Sequence, residues 1–221
     1  MQKVKADKAG TAGGLEVIDC GLADFRAVLE KQYELRDRRK AGLTGDTVLI
    51  AEHNPVITLG ARDSANRLLV EPDVLSERGI EVVKIRRGGG VTAHNPGQVV
   101  LYPILELAGL HLCISDYIRR LEGIGGRLLE ELGVNARRRK GFPGLWVGGR
   151  KIASIGVRVS RGISYHGMAI NIDNELGIFD LFVPCGLEGV KMTSVFEQTH
   201  RRYEMQEVKA RLVRLSGESL S

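Results

Sequence analysis

Three short stretches of this sequence concentrate residues able to do chemistry. The first is Arg86-Arg87-Gly88-Gly89-Gly90, set between two strand-like runs. Its glycines let backbone N–H groups approach a ligand closely, and adjacent arginines favour an anion or a carbonyl oxygen. No Gly-Lys-Ser/Thr follows and no helix follows, so it is neither a Walker loop nor a dinucleotide fingerprint. Alone, such a run is as often a flexible turn. It continues as Val91-Thr92-Ala93-His94-Asn95-Pro96-Gly97-Gln98, a polar loop feeding an apolar strand. A single histidine in such a loop is more often structural than functional.

The second constellation is Gly149-Arg150-Lys151-Ile152-Ala153-Ser154-Ile155-Gly156. A lysine in an apolar strand pattern is drawn inward, and lysine is rarely buried unless paired or functional. A solvated turn lysine is the plainer alternative. Ser164-Tyr165-His166-Gly167 follows in the same antiparallel stretch and brings a second histidine towards the same face. The third constellation is Phe182-Val183-Pro184-Cys185-Gly186-Leu187. Proline fixes the backbone before the thiol, and glycine leaves its far side open. A cysteine among Phe, Leu and Val is otherwise a small core residue, as Cys20 and Cys113 read.

The 221 residues suffice for one domain or two small ones. With 43% hydrophobic and 27% charged residues, a largely disordered chain is excluded. A net charge of +5 suits an acidic partner but is too diffuse to argue for nucleic acid, and aromatics are only 5%. No apolar stretch approaches the roughly 18–20 residues that span a bilayer, and no signal-like segment opens the chain. Three cysteines without a Cys-x-x-Cys argue against a disulfide framework or a thiolate zinc site, and no metal site is expected. The expected compartment is a reducing cytoplasm.

The elements that must position these residues follow from periodicity. Residues 1–14, small and Gly-rich, read as a flexible tail, and residues 15–221 as the folded domain. Leu15–Asp19 reads as a strand, and a helix runs from Leu22 into the basic run Arg36–Lys40. Strands are expected over 47–53, 56–60, 81–87 and 98–105, with a short helix ending at Gly79. A second long helix covers Ser115–Leu132 and closes at Gly133. Gly123, Gly125 and Gly126 weaken it by roughly 1 kcal/mol each unless another element packs closely there. Hairpin turns fall at Gly148-Gly149 and Arg161-Gly162, and a last helix covers 203–220. Strands and helices intermingle without strict alternation, which predicts a single α+β domain on a mixed β-sheet.

Taken together, the three constellations resemble the octanoyltransferases of lipoate biosynthesis, the octanoyl-acyl-carrier-protein:protein N-octanoyltransferases. Arg87-Gly88-Gly89, Thr92, His94, Pro96-Gly97-Gln98 and Tyr102-Pro103 stand as in that family's signature RGGxxTxHxPGQxxxYP. Gly144 through Asp173, then Pro184-Cys185-Gly186 and Thr193-Ser194, follow its second half. The resemblance runs from about Thr47 to Ser194.

It implies a domain related to the biotin- and lipoate-ligase catalytic domains, with Cys185 as nucleophile and Lys151 as its partner. It places His94 and His166 in the acyl pocket. The substrate-binding set it implies comprises Arg87, Gly88, Gly89, Gly90, Thr92 and His94 from the first stretch. Ser154, Ile155 and Gly156 join them from the second, with His166, Gly167, Met168 and Ala169 from the strand after it. The donor implied is octanoyl-acyl-carrier-protein, whose phosphopantetheine carries the thioester. The acceptors are lipoyl domains of 2-oxoacid dehydrogenases and the glycine cleavage H protein. No cofactor of the enzyme's own, no nucleic acid and no membrane is implied. Ala93 stands where the signature usually has an aromatic residue, Asn95 where glycine is usual, and Gly90 where a longer side chain is common. If the aromatic walls the acyl slot, Ala93 leaves room for a decanoyl chain. The alternatives are an ATP-dependent lipoate or octanoate ligase, which leaves Cys185 unexplained, and an octanoyl amidotransferase between lipoyl-domain lysines.

Overall fold

A computed structural model describes residues 7–12, 14–183 and 189–220. The first half of the chain forms β1 (Asp7–Ala12), β2 (Leu15–Ala23), α1 (Phe25–Lys40), β3 (Thr47–His53) and β4 (Val56–Leu59). After these come α2 (Pro72–Glu77), β5 (Glu81–Lys84), β6 (Thr92–His94) and β7 (Gln98–Ile104). The second half holds α3 (Ile114–Glu131), β8 (Arg137–Arg139), β9 (Phe142–Val147), β10 (Arg150–Ser160) and β11 (Ile163–Asn171). Two helices, α4 (Val195–Thr199) and α5 (Met205–Leu220), end the described chain. Short 3-10 turns cover Asp63–Ala65 and Leu176–Leu181.

Eight strands form one mixed sheet in the order β1-β2-β3-β7-β11-β10-β9-β8. Its one parallel pair, β2 with β3, is the pair joined by the α1 crossover. A small second sheet, β5-β4-β6, stands beside it. The α3 and α5 helices cover one face of the large sheet, where Tyr117, Leu121, Ile124, Leu128, Leu212 and Leu215 meet Val17, Val48, Leu101 and Ile170. Each fully buried side chain of this kind contributes roughly 1.5–3 kcal/mol. On the other face, Val28 and Leu35 of α1 pack against Leu49, Val100, Tyr102 and Ala169.

Local signals set the ends of the helices. Asp24 accepts the Ala27 N–H at 2.9 Å and starts α1 at Phe25. Leu22, expected inside that helix, instead belongs to β2 and is 55% exposed. Its spacing fits a helix by coincidence, because the strand runs on to Ala23 until the cap intervenes. The expected helix-weakening at Gly125 has its compensation: a Cβ there would stand 2.9 Å from Leu145 Cδ1 and Met168 Sδ, so the glycine lets α3 lie close on the sheet. Within the segment expected to be a loose tail, Asp7–Ala12 forms the edge strand β1, antiparallel to β2. Main-chain ladder bonds need no hydrophobic pattern, which is why composition alone did not reveal it. The strand expected over 81–87 stops at Lys84, and the residues after it begin the glycine loop. Among the described residues no helix is long and apolar enough to cross a membrane.

Candidate active site

A cavity lies between the large sheet, the start of α1 and the glycine loop. Its floor comes from two paired strands on which the side chains are small. Ser154 is the register partner of Ala169, and Gly156 of Gly167. A Cβ on Gly156 would come within 2.9 Å of both Arg87 Cδ and the Gly88 carbonyl oxygen, so only glycine lets the loop close over the floor. Ile155 and Met168 complete this part of the lining.

The roof is the loop Arg87–Gly89 with Thr92 and His94 of β6. Arg87 was expected to meet an anion or a carbonyl, and the carbonyls it meets are the protein's own. Its Nη2 donates to the Thr58 carbonyl and hydroxyl oxygens, each at 2.8 Å, and Nη1 to the Gly88 carbonyl at 3.1 Å. The guanidinium therefore shapes the loop from beneath. Gly88 N–H donates to the Val157 carbonyl at 2.9 Å, which ties the loop to β10 and engages that amide within the protein. Gly90 does not line the cavity. A Cβ there would be 2.3 Å from the Ala65 carbonyl oxygen, so this glycine admits the 3-10 turn at Asp63–Ala65 against the loop.

Ala93 does not wall the slot either. Strand alternation turns Thr92 and His94 to the cavity and Ala93 to the opposite side, where it is packed with Ile57, Phe179 and Phe182. The expectation of extra acyl space at Ala93 is thereby overturned. Asn95 is a brace: its amide donates to the Glu175 carbonyl at 2.8 Å and accepts from Asn174 at 3.0 Å.

Hydrogen bonds fix the tautomer of His94. Gln98 Nε2 donates to the Asn171 Oδ1 at 2.9 Å, so Gln98 Oε1 faces His94 Nδ1 at 2.7 Å and accepts its proton. The His94 Nε2 then carries a lone pair. Burial pushes the His94 pKa down to about 3, helped by nearby His53 and Arg87 and opposed by the Gln98 bond. The same network reaches further, since Asn171 Nδ2 donates to the Thr193 carbonyl at 2.9 Å. His166 sits on β11 at φ 56°, a conformation side-chain-bearing residues rarely adopt. Burial first, then Arg87, Arg158 and Arg36, hold its pKa at about 3.

Lys151 is 4% exposed, so the solvated-turn alternative is set aside. Its Nζ lies 5.3 Å from the Trp146 ring centroid on neighbouring β9, within cation–π range. The backbone on either side of it binds the segment that follows Cys185: Lys151 N–H donates to the Lys191 carbonyl, and Thr193 N–H to the Lys151 carbonyl, both at 2.9 Å. Cys185 itself, with Pro184, Gly186 and Leu187, lies outside the described residues.

Three lining residues carried no signal in the sequence: Phe25, Ile85 and Val100. Phe25 stacks on His94 with centroids 5.8 Å apart. Tyr102 donates its hydroxyl to His53 Nε2 at 2.7 Å, because His53 Nδ1 donates to the Ala23 carbonyl at 3.0 Å. Burial lowers the His53 pKa to about 4 and raises that of Tyr102.

Known proteins place this arrangement. The sequence pattern of the lipoyl protein ligase A/B catalytic domain matches residues 24–215. A protein of Syntrophobacter fumaroxidans (strain DSM 10017 / MPOB), named octanoyltransferase, is 44% identical over 81% of this chain and 78% of its own length. Among solved structures, lipoate-protein ligase A bound with ATP superposes with a TM-score of 0.72 at 17% identity, covering 95% of this chain and 86% of that one. The biotin protein ligase of Aquifex aeolicus superposes with a TM-score of 0.52 at 12% identity, covering 93% and 68%. The two structural likenesses define the fold class, α+β on a mixed sheet. Within that class, the chain belongs to the lipoyl protein ligase A/B catalytic domain family.

Proposed function

We propose that this enzyme transfers an octanoyl group from a carrier-protein thioester to a lysine amine of a lipoyl domain. Cys185 serves as acyl acceptor in between, and Lys151 as its proton partner. The observation that carries the reading is the small-residue floor formed by Ser154, Gly156, Gly167 and Ala169, an alkyl slot on the same strands as a buried lysine. Kinship to a protein named octanoyltransferase over most of the chain supports it.

A thiol with a pKa near 8.5 is only a few per cent thiolate at pH 7 and needs activation. In the first transfer the Cys185 sulfur attacks the thioester carbonyl. The carbon–sulfur bond to the carrier arm breaks, and the proton released by Cys185 passes by way of Lys151 to the departing thiol. In the second transfer the acceptor amine attacks the acyl-cysteine carbon, the amide forms, and its surplus proton returns through Lys151 to Cys185. The acceptor ammonium, near pKa 10.4 in reference peptides, first loses a proton, a step assisted by the same pair. Cysteine and lysine then titrate as a coupled pair. The thioester supplies the activation, so the reaction calls for no cofactor or metal of the enzyme's own. A working Cys185 thiol requires a reducing compartment such as the cytoplasm.

The test is incubation with octanoyl-carrier protein without ATP, followed by intact-mass measurement. Wild type should gain one octanoyl group labile to hydroxylamine, as should Cys20→Ala and Cys113→Ala. Cys185→Ala should gain none. Labelling of Cys185→Ala would move the nucleophile elsewhere, and product that appears only with ATP would favour a ligase.

A further inference from the structure

Lys151 reaches the cavity side of the sheet because β10 carries a bulge. Trp146 of β9 is the register partner of Lys151 and Leu145 that of Ala153, which leaves Ile152 without one. Ile152 and Ala153 are both buried in the main core. A bulge adds one residue to its strand, so the residues before it keep the face that strict alternation would deny them. Lys151 thereby shares a face with Ser154 and Gly156 of the cavity lining.

The neighbouring strand is irregular at the same place. Arg138 of β8 pairs with Leu145 and Arg139 with Phe142, so Pro143 and Gly144 have no register partner on β8. The Gly144 N–H donates instead to Glu122 Oε1 at 3.1 Å. Glu122 belongs to α3 and is buried, and its Oε2 lies 3.2 Å from Arg138 Nε. Arg138 is held in turn, its Nη2 donating to the Arg119 carbonyl at 2.9 Å. Gly144, at φ 120°, is where the lysine passes, since a Cβ there would stand 2.9 Å from Lys151 Cε. Trp146, two residues along, has its ring near the Lys151 Nζ. The lysine chain thus lies along the Gly144–Trp146 stretch of β9.

We propose that Glu122 is a positioning residue for Lys151: by holding the Gly144 N–H it fixes the stretch of β9 along which the lysine lies, and so the place of the amine. This rests on the reading of Lys151 as proton partner. Glu122 does not line the cavity and acts through main chain alone. A carboxylate buried for stability alone is commonly matched by an apolar side chain. Here it satisfies an amide that no residue of β8 faces. Without that bond the glycine backbone is free to shift against Lys151, and a displacement of about 1 Å near a reacting group slows a reaction by roughly 10²-fold.

The test measures acylation of the enzyme by octanoyl-carrier protein, as maximal rate per folded molecule and half-saturating donor concentration. Glu122→Met keeps length and helix propensity but offers no acceptor, whereas Glu122→Gln keeps a carbonyl oxygen without the charge. Glu122→Met should lower the maximal rate roughly tenfold to hundredfold and leave the half-saturating concentration within about twofold of wild type. Glu122→Gln should restore the rate to within about fivefold of wild type, the difference between a charged and a neutral acceptor. A wild-type rate in Glu122→Met would make Glu122 only a tie between α3 and β9, and Glu122→Gln as slow as Glu122→Met would place the effect in its charge. Either result overturns the proposal. Should Glu122→Met not fold, Glu122→Asp carries the test: it keeps the charge, is one methylene short of Gly144 and should be slowed likewise, so a wild-type rate there overturns the proposal. Lys151→Met separates the two readings. Acylation at the wild-type rate in that variant would remove Lys151 from the chemistry and the proposal with it, whereas a slow Lys151→Met beside an unaffected Glu122→Met overturns the positioning role alone.

Discussion

Along β7, β10 and β11, alternate residues serve opposite faces of the sheet, and the two sets differ in bulk. Towards α3 and α5 stand Val99, Leu101 and Ile170, fully buried in the main core. Towards α1 and the glycine loop stand Val100, Ser154, Gly156 and Ala169, with the histidines gathered around them. The first face is packed with buried apolar side chains. The second leaves an open cavity, with imidazoles kept neutral by burial on its lining. A packed face fails when atoms are taken away, whereas an open one fails when atoms are added. The same strands thus carry two kinds of vulnerability, one in stability and one in activity.

The sharpest separation of the two is expected at Lys151. Lys151→Met replaces the buried amine by an apolar chain of similar length beside Trp146. Turnover should fall on the order of 10²–10⁴-fold, the range for losing a proton-transfer partner. Turnover per folded molecule should stay low whatever the change in stability, because the proton-transfer group is gone. A large loss of stability with turnover per folded molecule preserved would move Lys151 to the structural side of the comparison.

Next in size is Gly156→Val on the open face. The added Cβ would meet Arg87 Cδ and the Gly88 carbonyl at 2.9 Å. Lifting the loop or filling the slot should lower kcat/KM for the octanoyl donor roughly tenfold to hundredfold, the equivalent of an ordinary overpacking cost. Wild-type kcat/KM in this variant would show that the acyl chain lies elsewhere.

Much of the open face was legible because its needs are unusual. Glycines that let main chain approach, and histidines beside them, are rare enough in combination to be read as a pattern. What escaped was ordinary in type. Phe25, Ile85 and Val100 look like any core residue, and only the folded register puts them on the cavity. Gln32 reaches His166 across 134 positions of sequence, with nothing local to announce the pair. Gly90 and Ala93 lie off the cavity for a related reason. They sit inside the motif, but the turn at Asp63–Ala65 and the alternation of β6 decide which motif positions face the ligand. The packed face was read well in its long helices, where periodicity is strong. The edge strand β1 was not, because main-chain pairing needs no hydrophobic pattern in the sequence.

The buried histidines give the open face its own dependence on pH. An unfolded histidine titrates near 6.5, whereas His53 titrates at about 4 and His94 and His166 at about 3. Between these values the unfolded chain binds protons that the folded chain does not, so stability falls as pH drops from about 6.5 towards 4. Each histidine should account for about 1–2 kcal/mol between pH 7 and pH 5. Denaturant unfolding at the two pH values measures the sum, and His53→Gln should remove one share of it. A stability independent of pH across this window would mean that the imidazoles are open to water.

The smallest effect tests whether the packed face is as full as it looks, using two adjacent glycines of α3. At Gly126 a Cβ would meet nothing within 4 Å, and the helix lends the residue ordinary backbone angles. Gly126→Ala should therefore stabilise by roughly 0.4–1 kcal/mol, through a less flexible unfolded chain and better helix propensity. Gly125 has the same propensity to gain, but its Cβ would stand 2.9 Å from Leu145 Cδ1 and Met168 Sδ. Those are ends of side chains, so they can shift, yet Met168 also lines the cavity on its other side. Gly125→Ala should thus cancel its propensity gain and lower kcat/KM slightly, while Gly126→Ala leaves kcat/KM at the wild-type value. Thermal melts and initial rates on both variants decide it. Equal stabilisation by the two would mean that α3 does not press on the sheet at Gly125, and that the packed and open faces are less tightly coupled than Met168 implies.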